Sequence, residues 1–460
     1  MASGLVARSL SKVRAMIAGA GGAKSVEPTE KVLTRIRRQL KECAEGHGGE
    51  VSTRLRAARL AETYLSLDDA GRIAFLRMIA VEFGPDTRKV AKAHEAYQAA
   101  VGTDRQWDAE AQLRAAMRSS RIRILTQFNA IPQGVKFLVD LRVDLLRYLE
   151  KHKDLKSLDR ELEARLTAWF DVGFLELARV TWNSPAALLE KIVAYEAVHE
   201  IRSWRDLKNR LGSDRRCYAF FHPRMPDEPL IFVEVALMED LADNVQKLLD
   251  ENAPVADAAR ATTAIFYSIS ATQEGLRGVS FGNFLLKRVV DDVQRDFPRI
   301  KTFATLSPIP GLVRWATKNT AAVLAAFSDA DWKRLAAVGI DGPDSPQLKL
   351  VLDGTTAWPG DEALANALRE PLLKVAAGYL LEAKRGDAPL DPVARFHLGN
   401  GARVERLNWL ADISEKGLGQ SWGIMVNYLY DPDRIVDNVE TFAGKGGIDA
   451  APAVRRLARR

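Results

Sequence analysis

The stretch Thr262–Ser270 (TTAIFYSIS), leading into Gln273–Gly282 (QEGLRGVSFG), decides how the rest of the chain is read. Its first nine residues are rich in β-branched and aromatic side chains, which predicts a strand buried on both faces. Three glycines (Gly275, Gly278 and Gly282) follow within eight residues. Phe284, Leu285, Val289, Val290 and Val293 then recur at helical spacing until Phe297-Pro298 stops the helix. Lys301–Leu306 predicts a second strand, and Ser307-Pro308-Ile309-Pro310-Gly311 turns the chain sharply.

A glycine loop that opens a helix offers backbone N–H groups and the positive end of the helix dipole, and both favour a pyrophosphate. Arg277 can add a charge-assisted contact. Alone the signal is weak, because glycines also serve tight turns. The loop lacks the GK[ST] of a Walker motif and a clean GxGxxG. It is similar to the pyrophosphate loop of the N-acetyltransferase-like (GNAT) fold, (Q/R)xxGx(G/A), with Gln273, Gly278 and Gly282 in loose match. In that fold the next strand splays from its neighbour and a thioester enters the gap. Ser307 would then sit at the end of the splayed strand.

Upstream, from Pro28 to about Leu211, the pattern is helical. Ser66-Leu67-Asp68-Asp69 reads as a capping box before Ile73, and Ser184-Pro185 as a cap with an N1 proline. Phe137–Leu149 and Leu158–Phe170 space apolar residues by three and four. No chemical motif lies in this half, which suits packing or assembly. At Cys217 the period changes. Cys217–Phe221 and Leu230–Leu237 predict strands, and Glu234 faces either a cleft or water.

The chain has 460 residues, 47% hydrophobic and 27% charged, too long for one core. We expect an α+β chain in three parts: a flexible basic segment 1–27, an all-helical assembly domain 28–205, and a GNAT-like catalytic domain 206–455. The net charge of +6 comes from 66 basic and 60 acidic residues, without the basic stripe of a nucleic-acid binder. Two cysteines form no disulfide framework, which suits an intracellular chain. Six scattered histidines show no metal-ligand spacing, and no apolar run spans a membrane. Leu5–Gly22, basic and without an acid, has a passable transit-peptide composition, so the mitochondrial matrix stands as the alternative to the cytoplasm.

Downstream, Phe396–Ala402 (FHLGNGA) sets His397 before a tight turn, and Gly423–Tyr430 (GIMVNYLY) predicts a strand. Taken alone, such a histidine is more often structural than catalytic. Yet FYSISATQEGLRGVSFGNFLLKRVV, LSPIPG, FHLGNGA and NWLADIS, in this order and spacing, resemble the malonyl-CoA decarboxylase family from about Trp204 to Tyr430.

The resemblance implies decarboxylation of malonyl-CoA to acetyl-CoA and CO2, without a cofactor, by a homotetramer that engages neither nucleic acid nor membrane. It implies Ser307 as proton acceptor and His397 as proton donor. It also implies a CoA-phosphate loop at Arg277, Gly278, Val279, Ser280, Phe281, Gly282 and Asn283. Ser280-Phe281 stands where the family leads us to expect an acid and an aliphatic residue. Animal members end in an SKL-type peroxisomal signal and this chain ends in Arg460, so peroxisomal import is not expected. Asn400, Tyr428 and backbone amides are candidate enolate stabilisers. Histidine suits proton donation because its ordinary pKa lies near working pH. The rival readings are an acyltransferase that recruits Glu234 as base, and a non-catalytic acyl-CoA sensor.

Overall fold

The computed structural model describes residues 29–45, 49–279, 284–355 and 358–459. Contacts divide it into two units. One holds the described chain up to Leu175 with His222–Asp227 and residues 273–279. The other holds Glu176–Phe221, Glu228–Thr272 and the chain from Phe284.

The first unit is helical. Its core gathers Ile36, Leu40, Phe75, Leu76, Leu125, Phe128 and Phe137, with Tyr64, Phe75, Phe128 and Phe137 in ring contact. Two of its helices matter below: α1 (Gly134–Tyr148) and α2 (Lys156–Trp169). The cap before Ile73 is Asp68, which accepts from Gly71 N; Ser66 ends the preceding helix and donates to Thr63 O. The expected Ser66 capping box is therefore replaced by a one-residue cap two positions on. Ser184 likewise caps nothing, since its Oγ accepts from Thr181 N while Pro185 starts the helix unaided.

The second unit is built on a mixed sheet. Its strands are β1 (Glu176–Val180), β2 (Arg215–Phe221), β3 (Ile231–Met238), β4 (Thr263–Ala271), β5 (Thr302–Thr305), β6 (Ser307–Pro308), β7 (Arg403–Asn408) and β8 (Met425–Tyr430). β1 to β4 run antiparallel in sequence order, β4 and β5 are parallel, and β8 inserts between β5–β6 and β7. Helix α3 (Phe284–Asp296) joins β4 to β5, and α4 (Pro392–Gly399) precedes β7. Helices and this mixed sheet together make the expected α+β fold. The pattern did not reveal β1: as a largely exposed edge strand within an expected helical stretch, ELARV lacks apolar alternation. With β1, the segment from Glu176 onward joins the sheet unit, some way before the expected border at 205.

The splay anticipated from the loop is present. Parallel pairing of β4 with β5 covers only Thr263–Phe266 against Thr302–Thr305. A bulge in the β3–β4 register falls there, and β4 continues to Ala271 on β3 alone. Beyond it, β5–β6 follows β8, pairing Phe303 with Tyr430 and Ser307 with Val426. Between those pairs, side chains replace the ladder: Asn427 Nδ2 donates to Thr305 O at 2.7 Å, and Tyr428 N donates to Thr305 Oγ1 at 3.1 Å.

Candidate active site

Ser307 lies on β6, just past the splay, and is 5% exposed. His397 comes from the last turn of α4, 90 residues later, and is 4% exposed. The fold closes that gap: Ser307 Oγ and His397 Nε2 are 3.1 Å apart. Ser307 Oγ also donates to Thr305 Oγ1 at 2.8 Å, and His397 Nδ1 lies 2.7 Å from the Tyr430 hydroxyl. One proton assignment satisfies all four groups. With the serine proton on Thr305, Nε2–H donates to Ser307 Oγ and Nδ1 accepts from Tyr430.

Two sequence features lock the histidine. Asp391 caps α4, its Oδ1 accepting from Val393 N and Ala394 N; its Oδ2 accepts from Gly311 N and Tyr379 Oη. One buried carboxylate thereby ties the turn after Ser307 to the helix that carries His397. The imidazole also stacks on Tyr428, with centroids 4.6 Å apart and an interplanar angle of 24°. Burial alone pushes the His397 pKa down to about 3, so the ring is neutral at ordinary pH. The expectation of a pKa near working pH is therefore corrected: burial disfavours the charged ring, and no carboxylate among the described residues offsets it.

The other candidates fall differently. Tyr428 is buried beside His397, and its hydroxyl has no partner among the described residues. Asn400 turns its amide back to Phe396 O, donating one of its two N–H groups to its own helix. Glu234 faces neither cleft nor water. It is fully buried on β3 and paired with Arg210 at 3.1 Å, its pKa pushed up by burial against the pull of that arginine.

In the loop, Gly278 takes φ +86°, which an L side chain rarely adopts, and Val279 is buried. Arg277 is exposed and paired with Glu274 at 2.9 Å. Ser280, Phe281, Gly282 and Asn283 lie outside the described residues.

Thr305, Asp391 and Tyr430 were missed in the sequence. Tyr430 stands two positions from Tyr428 on one strand, so both point to one face and only the fold decides which hydroxyl meets Nδ1. A cavity of about 500 Å³ lies against Tyr430 and Asn400, walled by Leu286, Val290, Ile435 and Val439.

Comparison with known proteins follows the same lines. The Malonyl-CoA decarboxylase C-terminal domain family matches residues 173–460, and the Malonyl-CoA decarboxylase N-terminal domain family matches residues 83–170. A crystal structure of malonyl-CoA decarboxylase from Rhodopseudomonas palustris is 41% identical. It covers 93% of this chain and 100% of its own, with a TM-score of 0.83. That of the Agrobacterium vitis enzyme is 41% identical over the same shares, with a TM-score of 0.81. The mitochondrial malonyl-CoA decarboxylase of Anser anser anser is 38% identical over 416 residues, 87% of this chain and 82% of its own. The long strings around Ser307 and His397 thus sit in a chain that is related along most of its length, and this chain belongs to the malonyl-CoA decarboxylase family.

Proposed function

We propose that the chain decarboxylates malonyl-CoA to acetyl-CoA and CO2, in malonyl-CoA turnover and fatty-acid metabolism. The buried Ser307–His397 contact, 3.1 Å across, carries this reading in a chain of that family. Malonyl-CoA and acetyl-CoA are substrate and product, and the reaction as written needs no cofactor.

Breaking the bond to the carboxylate leaves its electron pair on the α-carbon, delocalised into the thioester as an enolate. CO2 leaves, and one proton must take its place. The Ser307 hydroxyl and His397 Nε2–H are the two donors that hold the carboxylate and turn it out of the thioester plane. Neutral imidazole is acid enough to protonate such an enolate. His397 gives its Nε2 proton to the α-carbon while Tyr430 supplies one to Nδ1, so the ring stays neutral as its other tautomer. A solvent proton then returns to Nε2 while Nδ1 gives its proton back to Tyr430, which restores the starting tautomer with a net uptake of one proton per turnover. General acid catalysis of this kind contributes roughly 100- to 10,000-fold. The Tyr428 hydroxyl, without a partner among the described residues, leads the side-chain candidates for the enolate oxygen ahead of Asn400, and backbone amides complete the set. The glycine loop with Arg277 takes the CoA phosphates.

The acyltransferase alternative loses its base, because Glu234 is sealed in the sheet against Arg210. A non-catalytic sensor would bind malonyl-CoA without releasing CO2. Timed CO2 release from malonyl-CoA with no added acceptor separates decarboxylation from both rivals.

A homotetramer in the cytoplasm extends the proposal, with no nucleic-acid or membrane partner. Among the described residues no helix is long and apolar enough to cross a membrane. The helix Thr87–Ala100 buries none of its residues, and Trp107 and Met117 beside it are 74% and 59% exposed, which suits contact between copies. Light scattering reads the copy number. The Anser anser anser relative is named as mitochondrial, and fractionation decides between that compartment and the cytoplasm.

A further inference from the structure

The loop from Gln273 to Val279 groups with the helical unit, and one side chain there grips it. Arg142, on α1, is 2% exposed. Its Nη1 donates to Gly275 O at 3.0 Å and to Arg277 O at 2.7 Å. Its Nε meets Asp159 at 2.9 Å and its Nη2 meets Glu163 at 3.3 Å, both on α2. One guanidinium, oriented by two carboxylates, therefore holds two carbonyls of the glycine loop. A planar fork can do this and an ammonium cannot.

The loop backbone lies hard against α1. A Cβ at Gly275 would come 2.0 Å from Val139 O, and one at Gly278 would come 2.5 Å from Glu163 Oε1. Leu276 and Val279 are buried. The carbonyls of Gly275 and Arg277 and the side chains of Leu276 and Val279 are thus held inside, while the carbonyls of Gln273, Glu274 and Leu276 close turns within the loop by accepting from Leu276 N, Arg277 N and Val279 N. Drawing the carbonyls of Gly275 and Arg277 onto the guanidinium keeps them from facing an anion, as an anion cradle requires.

We propose that Arg142 is a positioning residue for CoA binding: from the helical unit it fixes the loop that takes the CoA phosphates, and so sets affinity for the nucleotide end without entering the acyl chemistry. This rests on reading the loop as a phosphate cradle.

The test compares the full-length protein with Arg142→Lys, Arg142→Gln and Gly275→Ala, each checked for folding by its melting transition. CO2 release is measured from malonyl-CoA and from malonyl-pantetheine, which lacks the phosphates. Arg142→Gln should raise KM for malonyl-CoA about tenfold or more, the loss of two charge-assisted bonds, and leave kcat within about twofold. Its kcat/KM for malonyl-pantetheine should match wild type. Arg142→Lys, which keeps the charge, should shift KM in the same direction, and so should Gly275→Ala, which alters no charge.

If Arg142→Gln fails to fold, the other two variants decide. Unchanged KM in the folded variants would overturn the proposal, as would equal losses on both substrates. If wild type itself shows no preference for malonyl-CoA over malonyl-pantetheine, the cradle reading fails. If that preference stands in wild type and in every variant, only the role of Arg142 falls.

Discussion

At the residue scale the account turns on His397 being neutral. With its pKa pushed down to about 3, kcat/KM should show no inflection near 6.5, where an unperturbed histidine titrates, and stay level between pH ~5.5 and ~7.5. A pH series of initial rates checks this. Tyr430→Phe removes the partner of Nδ1 and leaves a buried polar atom unpaired, at a cost of roughly 1–3 kcal/mol, or about 5- to 150-fold in kcat. Tyr428→Phe keeps the stacked ring and loses only a hydroxyl without a described partner. If that hydroxyl meets the enolate, kcat should fall about 100-fold while the melting temperature holds. The strings LSPIPG and FHLGNGA made Ser307 and His397 legible in the sequence. Their hydrogen-bond partners were not, because no spacing rule says that Thr305 and Tyr430 point at the pair.

At the element scale, the strand–loop–helix–strand order was legible because the hydrophobic period switches and glycine and proline mark each border. The splay followed from the loop resemblance. Edge strand β1 escaped because its exposed residues carry no alternation. Glu234 misled because strand periodicity shows which face a side chain takes and not what covers that face; here Arg210 and the helix Trp204–Arg210 cover it. Asp391 is the element-level test. Asp391→Ala removes the cap of α4 and the acceptor for Gly311 N. It should cost about 1–2 kcal/mol for the cap alone, with further loss from the orphaned donors. Urea unfolding should show that drop, and activity should fall further than stability accounts for, since α4 carries His397. Asp391→Asn, which keeps Oδ1 as the cap acceptor and loses Oδ2 as the acceptor for Gly311 N, should retain the cap's share of the stability and show only the second loss.

At the scale of the whole molecule, burial of histidines sets the acid limit. His397 is pushed to about 3 and His199 to about 4, both by desolvation, while the unfolded chain titrates near 6.5. Between those values the unfolded state binds more protons, so stability is full above pH ~6.5 and drains as pH falls toward ~4, by up to about 1.4 kcal/mol per pH unit per histidine. Glu234, raised by burial, works in the opposite sense, so the reading is the difference between proteins: His397→Asn should lose less stability than wild type from pH 7 to pH 5.

The division into a helical and a sheet unit was legible as a change of period. What joins the glycine loop to the helices was not, because Arg142 and Gly275 are 133 residues apart. The measurement that bears most directly on the central claim is CO2 release from malonyl-CoA by wild type, Ser307→Ala and His397→Asn, with CoA binding measured on each. The account predicts release by wild type, a loss of at least about 100-fold in both variants, and unchanged CoA binding. Wild-type rates in His397→Asn with normal CoA binding would contradict it.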